Sequence, residues 1–393
     1  MQTQVIPYLR ELVKGGHELT LLTFEPGEVD EAAVSESLKA DGIEWHCLKY
    51  HKRPSVPATL FDIANGVRFI LKLRKRNDFD ILHARAHIPM MMAYFVRKLS
   101  DSQAKILFDI RGFVPEEYVD AGVWDNDGLI FRSVKRFEKS LMDIADGFVI
   151  LTEAARDILF PDSRRTGTDR LGRPIAVIPC CVDFERRFAA VHEIGRERVR
   201  NTLGINDRIV IAHVGALGGV YLSEEIADLL FVARNLNPRV FALFLTQSNP
   251  NQIIELLKQR GFSDEDYFVG RVPPNEVEDY LYASDVGLSF VMATFATKSR
   301  SPTKIPEYLA AGLPIIANSG VGDVDALITA NAAGFVLDEL SSEQYAKAVR
   351  WIERNDKEPN RYRDLAIGYF SLEFVGGPRY NELYNSLLRS TSF

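Results

Sequence analysis

The chain has 393 residues, enough for two domains of ordinary size. With 46% hydrophobic and 26% charged residues it has globular proportions, which exclude a disordered or fibrous chain. A formal charge of -7 argues against a general nucleic-acid binder.

The chain opens helically through Val5-Ile6-Pro7-Tyr8-Leu9-Arg10-Glu11-Leu12. Gly15-Gly16-His17 then ends that helix and feeds a strand at Glu18–Phe24. Further strands are predicted at Phe79–His83, Lys105–Ile110, Gly147–Leu151 and Ile175–Ile178 in the first half. The second half carries them at Ile209–Val214, Val240–Thr246, Tyr267–Val269, Val286–Val291, Pro314–Ala317 and Phe335–Leu337. These are nearly continuous apolar runs, the pattern of strands covered on both faces. Their alternation with helical stretches predicts an α/β chain of two doubly wound, Rossmann-like parallel-sheet domains facing a cleft.

A boundary falls near Ile178-Pro179-Cys180-Cys181-Val182-Asp183-Phe184. A charged helical stretch, Arg186 to Arg200, precedes the fresh strand at Ile209. The domains are therefore expected at 1–182 and 183–368. Residues 369–393 form a C-terminal helical stretch, broken by Gly376-Gly377-Pro378. A doubly wound domain normally opens with a strand and a glycine turn. The sequence as given lacks both, so either the start codon is misplaced or an edge of the cleft is lost.

No apolar run approaches the roughly 18 residues that a membrane span needs. The N-terminus has no secretory pattern, and a cytoplasmic location is the expectation. Cys47, Cys180 and Cys181 have no metal-ligand spacing, and no metal or cofactor is expected. Arg68 to Arg76, with Phe69, Ile70, Leu71 and Leu73 interleaved, is a basic amphipathic helix. It suits contact with an anionic membrane surface and equally a solvated face.

The richest segment is Ser301-Pro302-Thr303-Lys304-Ile305-Pro306-Glu307-Tyr308-Leu309-Ala310-Ala311-Gly312-Leu313-Pro314. It reads as a helix capped by Ser301 with Pro302 at the first helical position, ended by Gly312 in the left-handed C′ position. Thr303 and Glu307 share one face. Lys304 adds a full charge at a helix start that suits an anion, and Glu307 can accept both hydroxyls of a ribose. A nucleotide diphosphate across the helix start is the functional reading, and a solvated Glu307 on an ordinary capped helix is the bland one.

Between a strand and a helix, His213-Val214-Gly215-Ala216-Leu217-Gly218-Gly219 lets backbone N–H groups of Gly215, Gly218 and Gly219 approach a phosphate. Its Gly-x-x-Gly-Gly spacing fails as a dinucleotide fingerprint. In the first half, His83-Ala84-Arg85-Ala86-His87 and Asp109-Ile110-Arg111-Gly112 end strands in polar residues, where open α/β sheets hold ligands. Arg111 can hold a phosphate or carboxylate bidentately. Asp109 either orients it or takes a proton, and a structural Asp–Arg pair is as good a reading. His83 and His87 suit an acceptor side or a satisfied core.

The Ser301–Ala317 segment resembles the donor-site signature of the family 4 retaining glycosyltransferases of the GT-B fold. Supporting likeness comes from the glycine turn, from Val269-Gly270-Arg271-Val272-Pro273 and from the Asp-Ile-Arg-Gly segment. Glu307 matches the second glutamate of that signature, which binds ribose. The first, which contacts the transferred sugar, falls at Ser299, a departure. The resemblance implies a hexosyltransferase moving a sugar from a UDP- or GDP-linked donor to a glycan, lipid-linked or small-molecule acceptor with retention of configuration. It implies cell-surface polysaccharide biosynthesis at the inner membrane face, with the last helix crossing back onto the first domain. It places Gly215, Gly218, Gly219, Arg271, Ser301, Thr303, Lys304 and Glu307 at the donor. Where members often carry a histidine near the reacting sugar this chain departs, with Asp109 and Arg111 as its catalytic candidates, and the strand-end residues His83, Arg85 and His87 are the acceptor-side candidates. Many members put an Arg and a Lys in the glycine turn. This chain has Leu217 and Tyr221 there, which shifts the charge to Lys304 and Arg271. The alternatives are a sugar-nucleotide epimerase or hydrolase of the same fold and a non-catalytic binding homologue.

Overall fold

The computed structural model describes residues 4–27, 30–188, 193–354 and 358–389. The chain packs into two compact units, one of residues 1–179 with 376–393 and one of 180–375.

The first unit holds β1 (Leu19–Glu25), β2 (Ile43–Lys49), β3 (Ile81–Arg85), β4 (Lys105–Ile110), β5 (Gly147–Ile150) and β6 (Ile175–Val177). β1 and β2 pair as a two-stranded parallel sheet, and β3-β4-β5-β6 form a second parallel sheet in that order. Burial drives the larger sheet: Ile106, Phe108, Phe148 and Ile150 are fully or almost fully buried against Met90 and Leu141 of neighbouring helices. β2 was missed in the sequence. Its Ile43, Trp45 and Cys47 alternate with Glu44 and His46, as suits a strand with one paired edge and one solvated face. The final helix, Gly377–Arg389, packs within this unit against the first helix, Ile6–Lys14, and against β6. A π turn, Leu372–Gly376, ends the preceding helical run, so the break falls before Gly377 and Pro378, which lie inside the new helix.

The second unit holds β7 (Ile209–Val214), β8 (Val240–Leu245), β9 (Tyr267–Gly270), β10 (Val286–Ser289), β11 (Ile315–Asn318) and β12 (Gly334–Leu337). The sheet order is β12-β11-β10-β7-β8-β9, all parallel. That order reverses direction between β7 and β10, which makes their carboxyl ends the topological switch point of a doubly wound sheet. Both faces are covered. Ile211, Leu288 and Ile316 pack with Ile226, Leu230 and Tyr345 on one face, and Ile315 and Ala317 pack with Leu309, Ile328 and Tyr362 on the other.

Among the described residues, no helix is long and apolar enough to cross a membrane, and no three His, Cys, Asp or Glu side chains converge as metal ligands would.

Candidate functional site

β7 and β10 pair only through Val286–Ile211 and Gly287–Ala212 and then diverge. Tyr308 fills the fork. Its hydroxyl accepts from the Val214 N–H at 2.9 Å and donates to the Leu288 carbonyl at 3.1 Å, so each strand keeps a partner where the sheet splits. The ring lies against Gly287, where a Cβ would come within 2.3 Å of it. Burial pushes the Tyr308 hydroxyl far above the ordinary phenol range, which keeps it a neutral donor.

The chain leaves β7 through Gly215 (φ 121°), then Gly218 (φ 73°) and Gly219 (φ 62°). All three occupy backbone space that side chains rarely tolerate. The turn is held by Ser248 and Ser223 hydroxyls, which accept from the Leu217 and Gly218 N–H groups at 3.1 Å.

Lys304 opens the helix Lys304–Ala310 and points into this turn. Its Nζ would lie 3.7 Å from a Cβ at Gly215 and sits 4.5 Å from the Tyr221 ring centroid, on the ring face. The residue is only 4% exposed, and Nζ is buried with no hydrogen-bond partner. Burial lowers its pKa to about 7, against a smaller upward pull from Glu307. His213, wholly buried beside it, is held well below its ordinary value by burial and then by Lys304. Its Nε2 stands 3.1 Å from the Ala216 carbonyl and so carries the proton of a neutral ring.

The remaining donor-side residues divide. Glu307 sits one turn along, and its Oε1 accepts from Arg187 Nη1 at 2.8 Å; Arg187 Nε in turn donates to Glu278 at 2.9 Å. Thr303 is the N-cap but makes no side-chain cap bond. Ser301 does not cap the helix, which begins three residues later. Its Oγ accepts from the Cys180 N–H at 3.0 Å and tethers the start of the unit. With only seven residues in the helix, Lys304 supplies the charge here and the macrodipole little. Gly312 takes the left-handed position as expected (φ 77°). Arg271 follows β9, two strands from β7; it is exposed and donates to the Gln247 carbonyl at 2.7 Å, next to Ser248, whose hydroxyl holds the glycine turn. Ser299 is buried, its hydroxyl donating to the Ala296 carbonyl.

In the first unit, β3 and β4 deliver a second cluster. Asp109 has no exposed surface. Its Oδ2 accepts from Arg85 Nη1 at 2.9 Å and from the Tyr380 hydroxyl at 3.0 Å, and its Oδ1 from Arg111 Nη1 at 3.4 Å. Burial alone would raise this carboxyl, but Arg111, His83 and Arg85 outweigh it and hold it well below the usual carboxylate range. A carboxylate so enclosed orients its arginines and is a poor proton acceptor. The orienting role of Asp109, one of two open in the sequence, is the one this geometry fits. His83 Nδ1 meets the Tyr384 hydroxyl at 2.9 Å, and its Nε2 lies 3.6 Å from Asp109. Ala86, at φ 73°, bends β3 into the helix His87–Leu99. His87 is turned inward, its Nε2 2.8 Å from Glu138 and its ring against Phe108, which leaves it little surface for an acceptor. Tyr380 and Tyr384 carry no sequence signal of this role; Tyr380 reaches Asp109 from 271 residues away.

The sequence profile for "Glycosyltransferase Family 4" matches residues 1–186, and that for "Glycosyl transferases group 1" matches residues 196–367. The chain belongs to the family 4 glycosyltransferases. Its fold is shared with solved glycosyltransferases. A glycosyltransferase from Rickettsia africae matches with a TM-score of 0.71 at 19% identity, over 98% of this chain and 94% of that one. Anabaena Alr3699/HepE, solved with UDP and glucose, matches with a TM-score of 0.66 at 14% identity, over 98% and 95%. WaaG, a glycosyltransferase of lipopolysaccharide biosynthesis, matches with a TM-score of 0.58 at 15% identity, over 98% and 94%. No curated protein sequence matches the chain. Within this family the chain is a GT-B glycosyltransferase whose glycine turn lacks its own cation and whose buried lysine stands against that turn instead.

Proposed function

We propose that the second unit binds a nucleotide-sugar donor, UDP-linked, with its diphosphate at the turn Gly215–Gly219 and its ribose at Glu307. The observation that carries this reading is Lys304: a buried amine with no partner, aimed at a glycine turn on the switch point, is incomplete without an anion. The solved relatives with UDP support the choice of nucleotide. Arg187 holds Glu307 in place from one oxygen and leaves the other for ribose hydroxyls.

The chemistry that fits is transfer of a hexosyl group to a glycan or lipid-linked acceptor with retention. As the anomeric C–O bond breaks, negative charge grows on the leaving diphosphate. Lys304 stabilises it, while the Gly215 and Gly218 N–H groups stay with the Leu245 carbonyl and the Ser223 hydroxyl, and the leaving phosphate takes the acceptor's proton as the acceptor attacks the same face. Cell-surface polysaccharide assembly at the cytoplasmic membrane face is the setting this suits. Ile70 and Leu71, apolar residues of the basic stretch expected to meet a membrane, pack inward against Val67, Met92 and Val96, which leaves the exposed Val56, Leu60 and Phe61 at the start of the helix Ser55–Arg74 to meet one.

Calorimetric titration with UDP and with GDP tests the donor reading. UDP is expected to bind; no heat from either at millimolar concentration would overturn it. Product formed from donor without acceptor would instead point to a hydrolase or epimerase.

A further inference from the structure

His213 lies one residue from the end of β7, and its ring is wholly buried between Phe244 and Tyr221, at centroid distances of 5.7 Å and 6.4 Å. Its two nitrogens do different things. Nε2 gives its proton to the Ala216 carbonyl and so ties the strand to the glycine turn. Nδ1 keeps a lone pair, and that atom is buried with no hydrogen-bond partner. A buried acceptor without a donor is costly, and the tether to Ala216 does not require one. The charged side chain whose field reaches His213 is Lys304. Its Nζ would stand 3.7 Å from a Cβ at Gly215, two residues on from His213, and it lies over the same Tyr221 ring that His213 meets edge-on. On the helix that carries Lys304, Glu307 pairs with Arg187 and Tyr308 spans the fork between Val214 and Leu288. The turn's own donors are largely spent. The Gly215, Leu217 and Gly218 N–H groups go to Leu245, Ser248 and Ser223, so the placing of the Lys304 charge matters.

We propose that His213 is a positioning residue for Lys304, its Nδ1 accepting one N–H of the ammonium and aiming another at the diphosphate. This rests on the donor reading above. An ammonium carries three N–H groups. The Tyr221 face receives one, a phosphate oxygen the second, and the lone pair of Nδ1 the third. When the anion arrives, the amine takes a proton from solvent and His213 gives none up. A proton on Nδ1 would turn that acceptor into a cation facing the ammonium, and burial together with the Lys304 charge keeps the ring neutral. A flexible four-carbon stem held at its tip in this way loses little freedom when the anion binds.

The test is a pair of variants that separate the two nitrogens. His213→Gln puts an amide N–H near Nε2, which keeps a donor for Ala216 and removes the acceptor at Nδ1. His213→Asn puts its carbonyl oxygen near Nδ1 and drops the tether. In calorimetric titrations of the full chain at pH 8, His213→Gln should bind UDP about tenfold more weakly, the worth of a hydrogen bond to a charged group. His213→Asn should stay within about twofold of wild type. A tenfold loss confined to the ammonium state lowers the bound Lys304 pKa by about one unit. Proton uptake at pH 9 should then fall from ~0.9 per UDP in the wild-type chain to ~0.5 in His213→Gln. A histidine that only tethers the turn would leave that uptake unmoved. Wild-type affinity and uptake in His213→Gln, or equal losses in both variants, would overturn the proposal. If the variants unfold, nitrogen NMR of the wild-type chain labelled in histidine gives the same answer. The Nδ1 signal of His213 should move towards its hydrogen-bonded position when UDP saturates, and an unmoved signal would overturn the proposal. Inorganic pyrophosphate separates this inference from the donor reading. A shift with pyrophosphate in a chain that binds neither UDP nor GDP would sink the nucleotide and keep the role of His213, whereas no shift with any of the three would sink that role.

Discussion

Binding of UDP at pH 8 should draw a proton onto Lys304. In the free chain its pKa is about 7, so only ~10% of the amine is charged at that pH. A phosphate charge centred ~4 Å away contributes about 4 kcal/mol per unit charge at an effective dielectric constant near 20, or ~3 pKa units. Bound, Lys304 would then titrate near ~10 and be almost fully charged at pH 8. A terminal phosphate with a second ionisation near ~6 is already ionised there and takes up nothing itself. Uptake should therefore be ~0.9 proton per UDP at pH 8. Calorimetry in buffers of different ionisation enthalpy reads this directly as the slope of apparent enthalpy against buffer enthalpy. Lys304→Met should abolish the slope at pH 8. A zero slope in the wild-type chain would refute the reasoning, because the buried amine would not be answering the diphosphate.

The same substitution should separate stability from binding. Lys304→Met removes a buried, unpartnered amine and should raise the melting temperature, yet weaken UDP about ten- to hundredfold, the worth of a hydrogen bond to a charged group. The sign with pH follows from the lowered value: between about 7 and ~10.4 the unfolded chain binds more protons, so wild-type stability rises with pH through that window. The stabilisation from Lys304→Met should accordingly be largest below pH 7 and shrink towards pH 10 in thermal melts. Tyr380→Phe should cost about 2 kcal/mol in denaturant unfolding, the loss of one hydrogen bond to the buried Asp109 carboxylate. An unchanged midpoint would show that the last helix does not brace that carboxylate. Tyr308→Phe leaves the Val214 N–H and the Leu288 carbonyl without their partner and should cost about 2–3 kcal/mol, again by denaturant midpoint.

Much of this architecture was legible because buried parallel strands must be continuously apolar. Val286–Ser289 and Ile315–Asn318 declare themselves by composition. β2 did not, since one solvated face gave it the alternation of a half-exposed strand. The helix at Lys304 was placed correctly to within a turn, but the role of Ser301 was not. A serine before a proline looks like a cap in sequence, whereas here its oxygen meets the Cys180 N–H, a partner 121 residues away. Distance along the chain also hid the most informative contacts of the first unit. Nothing near Asp109 or His83 announces that Tyr380 and Tyr384 will close over them, because only the fold brings the last helix there. Burial is the other quantity that a local motif cannot give. Lys304 reads in sequence as a surface cation beside a helix start. Only its enclosure by Tyr221 and the glycine turn makes it an amine waiting for an anion.

A crystal structure of the chain with UDP bound would test that claim most directly. The account predicts the diphosphate on the turn Gly215–Gly219, with Lys304 Nζ at about 2.8 Å from a phosphate oxygen, the distance of a charge-assisted hydrogen bond. A diphosphate bound elsewhere, or bound with Lys304 still buried without a partner, would contradict it.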